Sequence, residues 1–244
     1  MSAPRRRATS GASCSRSWSR ALRVAALYDI HANVPALQAV LADVERDGVE
    51  TVLFGGDLTW GPKPSEALAL VRSVPNARFV RGNCDREPDE WERSRLSAEG
   101  IAFLEGLPGR LELDGVLYCH ATPRSDEEIV TPATPDEDLA EILAGVEQRT
   151  VVAGHTHMQQ DRQIGGVRFV NAGSVGLPYE GELAAFWALV DAGEIELRKT
   201  PLEVDRVADA FRRSDWPRAD EFLRENVLVS ITREEATAKI EARR

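Results

Sequence analysis

The chain has few cysteines, few histidines and no long apolar run, and these shortages limit the classes of protein to which it can belong. Three cysteines, Cys14, Cys84 and Cys119, are too few and too oddly numbered for a disulfide framework, so we expect a reducing, cytoplasmic environment. No Cys-x-x-Cys pair offers a thiolate metal site. No apolar run approaches the roughly 20 residues that span a bilayer, which predicts a soluble globular protein with no membrane partner.

Charge is unevenly distributed along the chain. The formal net charge is −10, and the first twenty residues carry five arginines and no acid, so removing those five charges leaves −15 for the rest. A surface that acidic repels a phosphate backbone and argues against non-specific nucleic-acid binding. Residues 1–20 are rich in Ser and Arg and lack the apolar core of a secretory signal, so we expect a disordered tail. An organelle transit peptide and an over-long translation start both stay open as its origin.

Residues 21–244 are predicted to form a single α/β domain. Apolar runs at 22–27, 49–54 and 78–81 alternate with helical patterns opened by Pro35 and Pro64, a rhythm typical of βαβ units with a largely parallel sheet. Later turn signals predict hairpins around Asp114-Gly115, Gly165-Gly166 and Asp191-Ala192-Gly193. Together these patterns predict two sheets packed face to face with helices outside.

Two further stretches are predicted to be helical. Residues 86–106 read as one or two acidic, largely exposed helices, and residues 138–145 as another. Residues 201–244 are expected to form three helical segments. Their predicted packing face consists of Leu202, Val204, Val207, Ala210 and Phe211.

All four histidines of the chain follow apolar runs. His31, His120, His155 and His157 stand just after predicted strands, and Asp29, Asp57 and Asn83 occupy equivalent positions. One such residue alone would fit an ordinary hydrogen-bonded side chain at a strand end. Seven together predict a metal centre, because ligands in open α/β sheets collect at the carboxyl ends of the strands. Imidazole and carboxylate ligands suit Mn, with Fe, Zn, Co or Ni as alternatives.

The order of these motifs resembles the calcineurin-like metallophosphoesterase superfamily. The motifs are Asp29-x-His31, Gly56-Asp57, Gly82-Asn83-x-Asp85, His120 and Gly154-His155-x-His157. Asn33, Cys84 and the run 171–176 are similar to its YfcE-like branch of bacteria and archaea. Within that run, Asn171, Gly173 and Ser174 resemble a family turn beside the site, although a simple tight turn fits them equally well.

The resemblance implies a four-layer α/β/β/α sandwich that holds two divalent metal ions. One ion would be held by Asp29, His31, Asp57 and His157, and the other by Asp57, Asn83, His120 and His155. Asp57 would bridge the pair together with a water or hydroxide. Two such ions, two aspartates and one hydroxide leave a charge of about +1, which attracts phosphate. We predict direct attack of the hydroxide on phosphorus, without a phospho-enzyme.

Three more residues are candidates for contacts within the site. Asn33 is expected to donate to a phosphate oxygen, Asp85 to orient His120 or a water, and Arg124 to clamp the substrate. A plain structural role in a loop is the alternative for each of them.

Two positions depart from patterns seen in related enzymes. Cys84 stands where many relatives carry a histidine implicated in protonating the leaving group, and a thiol is a weak donor. An activated leaving group such as an aryl oxide is therefore favoured. Trp60 lies three residues after Asp57, where purple acid phosphatases have a tyrosine, so the phenolate–iron site is excluded.

The predicted function is hydrolysis of small-molecule phosphate esters, with phosphodiesters ahead of monoesters. Phosphomonoesters, phosphoproteins and dinucleoside polyphosphates are alternatives, because relatives with the same metal ligands divide among them. A non-catalytic scaffold, like the retromer subunit in which the metal ligands have decayed, is a further alternative. The full set of ligand-type residues argues against it. The sequence leaves the oligomeric state open.

Overall fold

The computed structural model describes residues 22–243, so the tail predicted at residues 1–20 lies outside the described part of the chain. In chain order the strands are β1 (Arg23–Leu27), β2 (Thr51–Phe54), β3 (Arg78–Phe79), β4 (Arg110–Leu113), β5 (Val116–Cys119), β6 (Thr150–Ala153), β7 (Gln160–Ile164), β8 (Val167–Asn171), β9 (Ala184–Asp191) and β10 (Glu194–Pro201). They form two five-stranded sheets, ordered β10-β9-β1-β2-β3 and β4-β5-β6-β8-β7.

The helices pack mainly on the outer faces of the two sheets. They are α1 (Val34–Arg46), α2 (Pro64–Ser73), α3 (Asn83–Arg86), α4 (Glu90–Arg95), α5 (Ala98–Glu105), α6 (Asp136–Ile142), α7 (Val204–Arg212), α8 (Ala219–Phe222) and α9 (Arg233–Glu241), with a π-helical turn at Leu223–Val227. None of the helices within residues 22–243 combines the length and apolar character needed to cross a membrane.

Strand β1 illustrates why the sheets stack. It pairs parallel with β2 and antiparallel with β9, so it lies inside its sheet and both of its faces are covered. Successive side chains point to opposite faces: Val24 and Ala26 pack between the sheets, whereas Ala25 and Leu27 pack under the outer helices. The second sheet repeats this arrangement, with α6 on its outer face. The four-layer α/β/β/α sandwich is therefore confirmed.

Some local predictions were wrong in detail. Residues 86–106 contain two helices, α4 and α5, and are largely exposed as predicted, although Glu92 and Leu104 are fully buried. In α7 the packing face includes Val207 and Phe211 as predicted, but Val204 is 42% exposed and Ala208 is buried in its place. The predicted face is therefore right at Val207 and Phe211 and wrong at Val204.

Residues 202–227 pack around an aromatic cluster that faces the carboxyl end of the first sheet. Trp216 and Phe222 stack edge-on against Trp60, with ring centroids 5.4 Å apart in both pairs. Because Trp60 follows β2 by only a few residues, the C-terminal helices lie beside the strand ends that carry the candidate ligands.

Candidate metal centre

The structure brings all seven predicted ligands to one end of the two sheets. Each follows the carboxyl end of a strand, and neighbouring members are in contact. The seven are Asp29 and His31 after β1, Asp57 after β2, Asn83 after β3, His120 after β5, and His155 and His157 after β6.

Asp29 is at the middle of this group. Its Oδ1 lies 3.2 Å from Nε2 of His157, 3.8 Å from Nε2 of His120 and 3.9 Å from Nε2 of His31. The atom is buried and has no hydrogen-bond partner among the described residues. A buried carboxylate oxygen without a donor is costly, and a cation held with the surrounding nitrogens would compensate it. Asp29 takes part in both groups of residues within 22–243 that have metal-binding geometry, the second including Asp57 and His120.

Asp57 spans the two sides of the group. Its Oδ1 lies 3.5 Å from Nε2 of His120, and its Oδ2 lies 4.0 Å from Nε2 of His31. The backbone amide of Cys84 donates to Oδ1 at 2.9 Å and orients the carboxylate. A carboxylate whose two oxygens face different histidines has the geometry that a bridging ligand needs.

The histidine rings direct nitrogen atoms toward the site. His157 and His120 donate from Nδ1 to backbone carbonyls at 2.7 and 2.9 Å, so Nε2 is the nitrogen of each ring that faces the site. His155 donates from Nε2 to a carbonyl at 3.2 Å, which leaves Nδ1. Nε2 of His31 and Nε2 of His157 are 3.1 Å apart, a spacing that requires a proton or a cation between them. This nitrogen and oxygen donor set fits a borderline divalent metal ion.

Burial and mutual charge prepare the site for cations. Burial lowers the pKa of His31 and of His155 to about 4, so both rings are neutral at neutral pH. Burial would raise the pKa of Asp29, but the imidazoles of His157 and His120 outweigh it and lower that pKa. The charged carboxylate of Asp29 and the neutral imidazoles of His31 and His155 are in the protonation states that metal ligands need.

Most of the candidate ligands have an unusual backbone conformation. Asp29, His31, Asp57, His155 and His157 have φ values between 48° and 68°, in the left-handed region that L-residues avoid. This conformation turns the backbone sharply after each strand and directs the side chain inward.

Gly82 gives Asp57 the space it needs. A Cβ on this residue would lie 2.1 Å from Oδ1 of Asp57 and 2.4 Å from its backbone nitrogen. Only glycine fits there, so the Gly82-Asn83 motif serves Asp57 as well as Asn83.

Asp85 is buried beside the centre, but it does not contact His120 as the sequence led us to expect. Its carboxylate accepts from the backbone amides of Asp57, Leu58 and Gly82 at 2.7 to 2.9 Å. Its role is to fix the backbone that carries Asp57. Burial, followed by the charge of Asp57, raises its pKa to about 6.

Two predicted substrate contacts are differently engaged in the structure. Asn33 is the N-cap of α1, where Oδ1 accepts from Ala36 and Nδ2 donates to the carbonyl of Gly176. Its side chain therefore holds two loops together and uses one of its two amide hydrogens to do so. Arg124 is exposed and forms an ion pair with Glu128, and it lines a different cavity from the one that contains His31 and His157.

The turn at 171–176 supports the ligands from behind. Asn171 Nδ2 donates to Thr156 Oγ1 at 3.1 Å and also contacts the carbonyl of Gly154, while Ser174 Oγ donates to the carbonyl of Asp29 at 2.9 Å. These bonds connect the loops that carry Asp29 and His157.

Sequence reasoning missed two aromatic residues beside the centre. The ring of Tyr179 lies 4.8 Å from that of His157, and the ring of Trp60 lies 5.4 Å from that of His31. Burial raises the pKa of Tyr179 to about 12, with Arg243 and Arg218 acting in the opposite direction. In the sequence, the position of Trp60 three residues after Asp57 drew attention to it, whereas no sequence pattern indicated Tyr179.

Comparison with known proteins agrees with this fold and site. The calcineurin-like phosphoesterase superfamily domain matches residues 22–193. The chain is 26% identical to the uncharacterized protein MJ0912 of Methanocaldococcus jannaschii over 84% of this chain and 97% of that one. It is 27% identical to the phosphodiesterase YfcE of Escherichia coli over 66% of this chain and 83% of that one.

A solved structure extends the agreement. A metallophosphoesterase from Sphaerobacter thermophilus superimposes with a TM-score of 0.68 at 25% identity, covering 79% of this chain and 93% of that one. Fold and site together define a metal-dependent hydrolase acting on phosphate esters. The chain belongs to the calcineurin-like phosphoesterase superfamily.

Proposed function

We propose that this protein is a dinuclear phosphoesterase that favours phosphodiesters and transfers the phosphoryl group directly to water. The observation that carries the proposal is the buried, unpartnered Oδ1 of Asp29, surrounded by three imidazole nitrogens at 3.2 to 3.9 Å. The name of the relative YfcE, a phosphodiesterase, supports the preference for diesters.

The proposed ligand sets are those that the resemblance to the superfamily implies. Asp29, His31, Asp57 and His157 would hold one ion, and Asp57, Asn83, His120 and His155 the other. The contact between Asn83 Oδ1 and His120 Nε2, at 3.1 Å, supports the second set. When bound, a pair of divalent ions supplies a hydroxide nucleophile at neutral pH and offsets the charge of the phosphoryl oxygens.

The chain's own residues keep these ligands in position. Asp85 fixes the backbone of Asp57, and the amide of Cys84 fixes its carboxylate. The Cys84 thiol lines the same cavity as His31. Burial raises the pKa of this thiol, so it stays protonated and is only a weak donor. Aryl esters, whose leaving groups need no proton, are therefore expected to be good substrates.

A direct comparison of two chromogenic esters tests this proposal. Mn-loaded protein is assayed with bis-p-nitrophenyl phosphate and with p-nitrophenyl phosphate, and we expect the larger kcat/KM for the diester. A clear preference for the monoester would reverse the order of substrates. Intact-mass measurement during turnover is expected to find no phosphorylated protein. Absence of bound transition metal together with no activity on added Mn would favour a scaffold.

A further inference from the structure

One cavity joins the metal centre to the C-terminal helices. It has a volume of about 300 Å³, and His31, His157 and Cys84 line one side of it. Its lining also includes Arg218, Lys239 and other residues of the C-terminal helices, which follow the part of the chain that the family domain matches. Residues that follow the matched domain therefore form part of the wall of this cavity.

Three cations reach this cavity: Arg218, Lys239 and Arg243. Lys239 and Arg243 are exposed and form no ion pair or side-chain hydrogen bond with any residue of 22–243. The cavity is also lined by Glu221 and Glu225, so its wall carries a charge of +1 before any metal is counted. In a chain of net charge −10, an excess of cations at this place points to an anionic ligand.

The third cation is held in a fixed position. Arg218 pairs with Glu221 at 3.0 Å, and its guanidinium lies 5.2 Å from the ring centre of Trp60 and 5.1 Å from that of Phe222. Glu221 accepts from Nε and Nη2 along one edge of this guanidinium, and stacking on aromatic rings leaves the other edge for an anion. Trp60 also contacts His31, so the same ring touches the metal centre and the cation.

The rest of the lining is mostly apolar or aromatic and includes Leu177, Tyr179, Phe222 and Ile231. A ligand that fills the cavity would meet the metal centre with its phosphoryl group, the apolar lining with its body and the cations with its far end.

From these contacts we infer that the substrate is a compact phosphate ester with an apolar body and a second anionic group, which Lys239 and Arg243 bind. This inference rests on the proposed function, because it assumes that the phosphoryl group lies at the candidate metal centre. A second anionic group separates such substrates from simple alkyl or aryl esters.

Binding of non-hydrolysable analogues tests the inference separately from catalysis. The affinities of Mn-loaded protein for phenylphosphonate and for 4-carboxyphenylphosphonate are measured by isothermal titration calorimetry. We expect the carboxylated compound to bind about tenfold more tightly, as one to two charge-assisted hydrogen bonds provide. The double variant Lys239→Gln/Arg243→Gln should bind the two compounds equally.

The matched control is Lys199→Gln/Arg213→Gln, which removes the same two charge types. These residues are exposed, pair with Glu182 and Asp209, and do not line the cavity. The control should keep the preference for the carboxylated compound. Equal binding by the unmodified protein, no binding of either compound, or a preference retained in the Lys239/Arg243 variant would overturn the inference.

Kinetics then separate the two proposals. If the preference is found but no phosphate ester is hydrolysed, the proposed function fails and the anion site stands. If esters are hydrolysed with no preference among the phosphonates, the function stands and the anion site is wrong.

Discussion

The backbone amide of Asp57 donates to Oδ2 of Asp85 at 2.7 Å, so a buried carboxylate fixes the residue that spans both sides of the metal centre. Two more backbone amides, those of Leu58 and Gly82, converge on the same carboxylate. Asp85 is fully buried. The metal centre therefore depends on a side chain that is not one of its ligands.

Replacing Asp85 by Asn should impair both stability and metal binding. The amide nitrogen of Asn would face a backbone donor, and leaving a buried donor unpaired costs about 1–3 kcal/mol. We expect urea denaturation to show a loss of that size, and elemental analysis to show reduced metal content. Asp215→Asn, at an exposed acid that pairs with Arg95, is the control and should change neither. Unchanged metal content in Asp85→Asn would contradict the positioning role.

Asp57→Asn should abolish activity by weakening both ions at once. His157→Ala, in contrast, removes a ligand of one proposed ion and should reduce the metal content by about half as the other ion is retained. Metal-to-protein ratios measured after gel filtration distinguish the two outcomes. Near-normal turnover of Asp57→Asn with both metals bound would show that the bridging assignment is wrong.

Gly82→Ala should displace Asp57 without changing any ligand. The added methyl carbon would lie 2.1 Å from Oδ1 of Asp57, so the carboxylate or the loop must move. Overpacking of this kind typically costs about 1–3 kcal/mol, and we expect a lower melting temperature with weakened metal binding. Gly109→Ala, where no atom lies within 4 Å of the new carbon, is the control. Equal behaviour of the two variants would contradict the steric argument.

Glu92 should make stability depend on pH. This residue is fully buried, and burial raises its pKa from 4.5 to about 7, against the hydrogen bonds from Asp89 and Thr59. Between these two values the folded state keeps a proton that the unfolded state has lost. The free energy of unfolding must therefore fall as pH rises from 4.5 to about 7.

Glu92→Gln removes this dependence and keeps a residue suited to the capping box of α4. At 1.36 kcal/mol per pKa unit, the variant should gain about 3 kcal/mol relative to the unmodified chain between pH 4 and pH 8. Urea denaturation of chelator-treated protein across that range measures the difference. A difference that does not change with pH would contradict the assigned pKa.

The sequence was sufficient to predict much of the fold because the strand signals are strong. Apolar runs that end in Gly, Asp or His indicated β1, β2, β5 and β6, and the turn residues indicated the hairpins. The ligands could be predicted for the same reason, since the parallel strands carry them to a common edge. The roles of Asn33 and Asp85 could not, because a polar side chain in a loop has many partners within reach.

Asn33 nevertheless carried a local signal. It stands directly before Val34-Pro35 at the start of a helix, a position where Asn commonly caps the first turn. The position of the C-terminal helices had no such signal. Their contact with Trp60 joins residues more than 150 positions apart, and only the folded structure shows that they border the metal centre.

The left-handed backbone at Asp29, His31, Asp57, His155 and His157 sets a limit on how far this protein can be stabilised. Each such residue costs on the order of 1 kcal/mol relative to glycine, which adopts the conformation without strain. Selection for heat resistance alone would favour glycine at these five positions and would erase the site. The protein thus trades part of its folding energy for a preformed cluster of donors, and improvements in thermal tolerance must come from elsewhere in the chain.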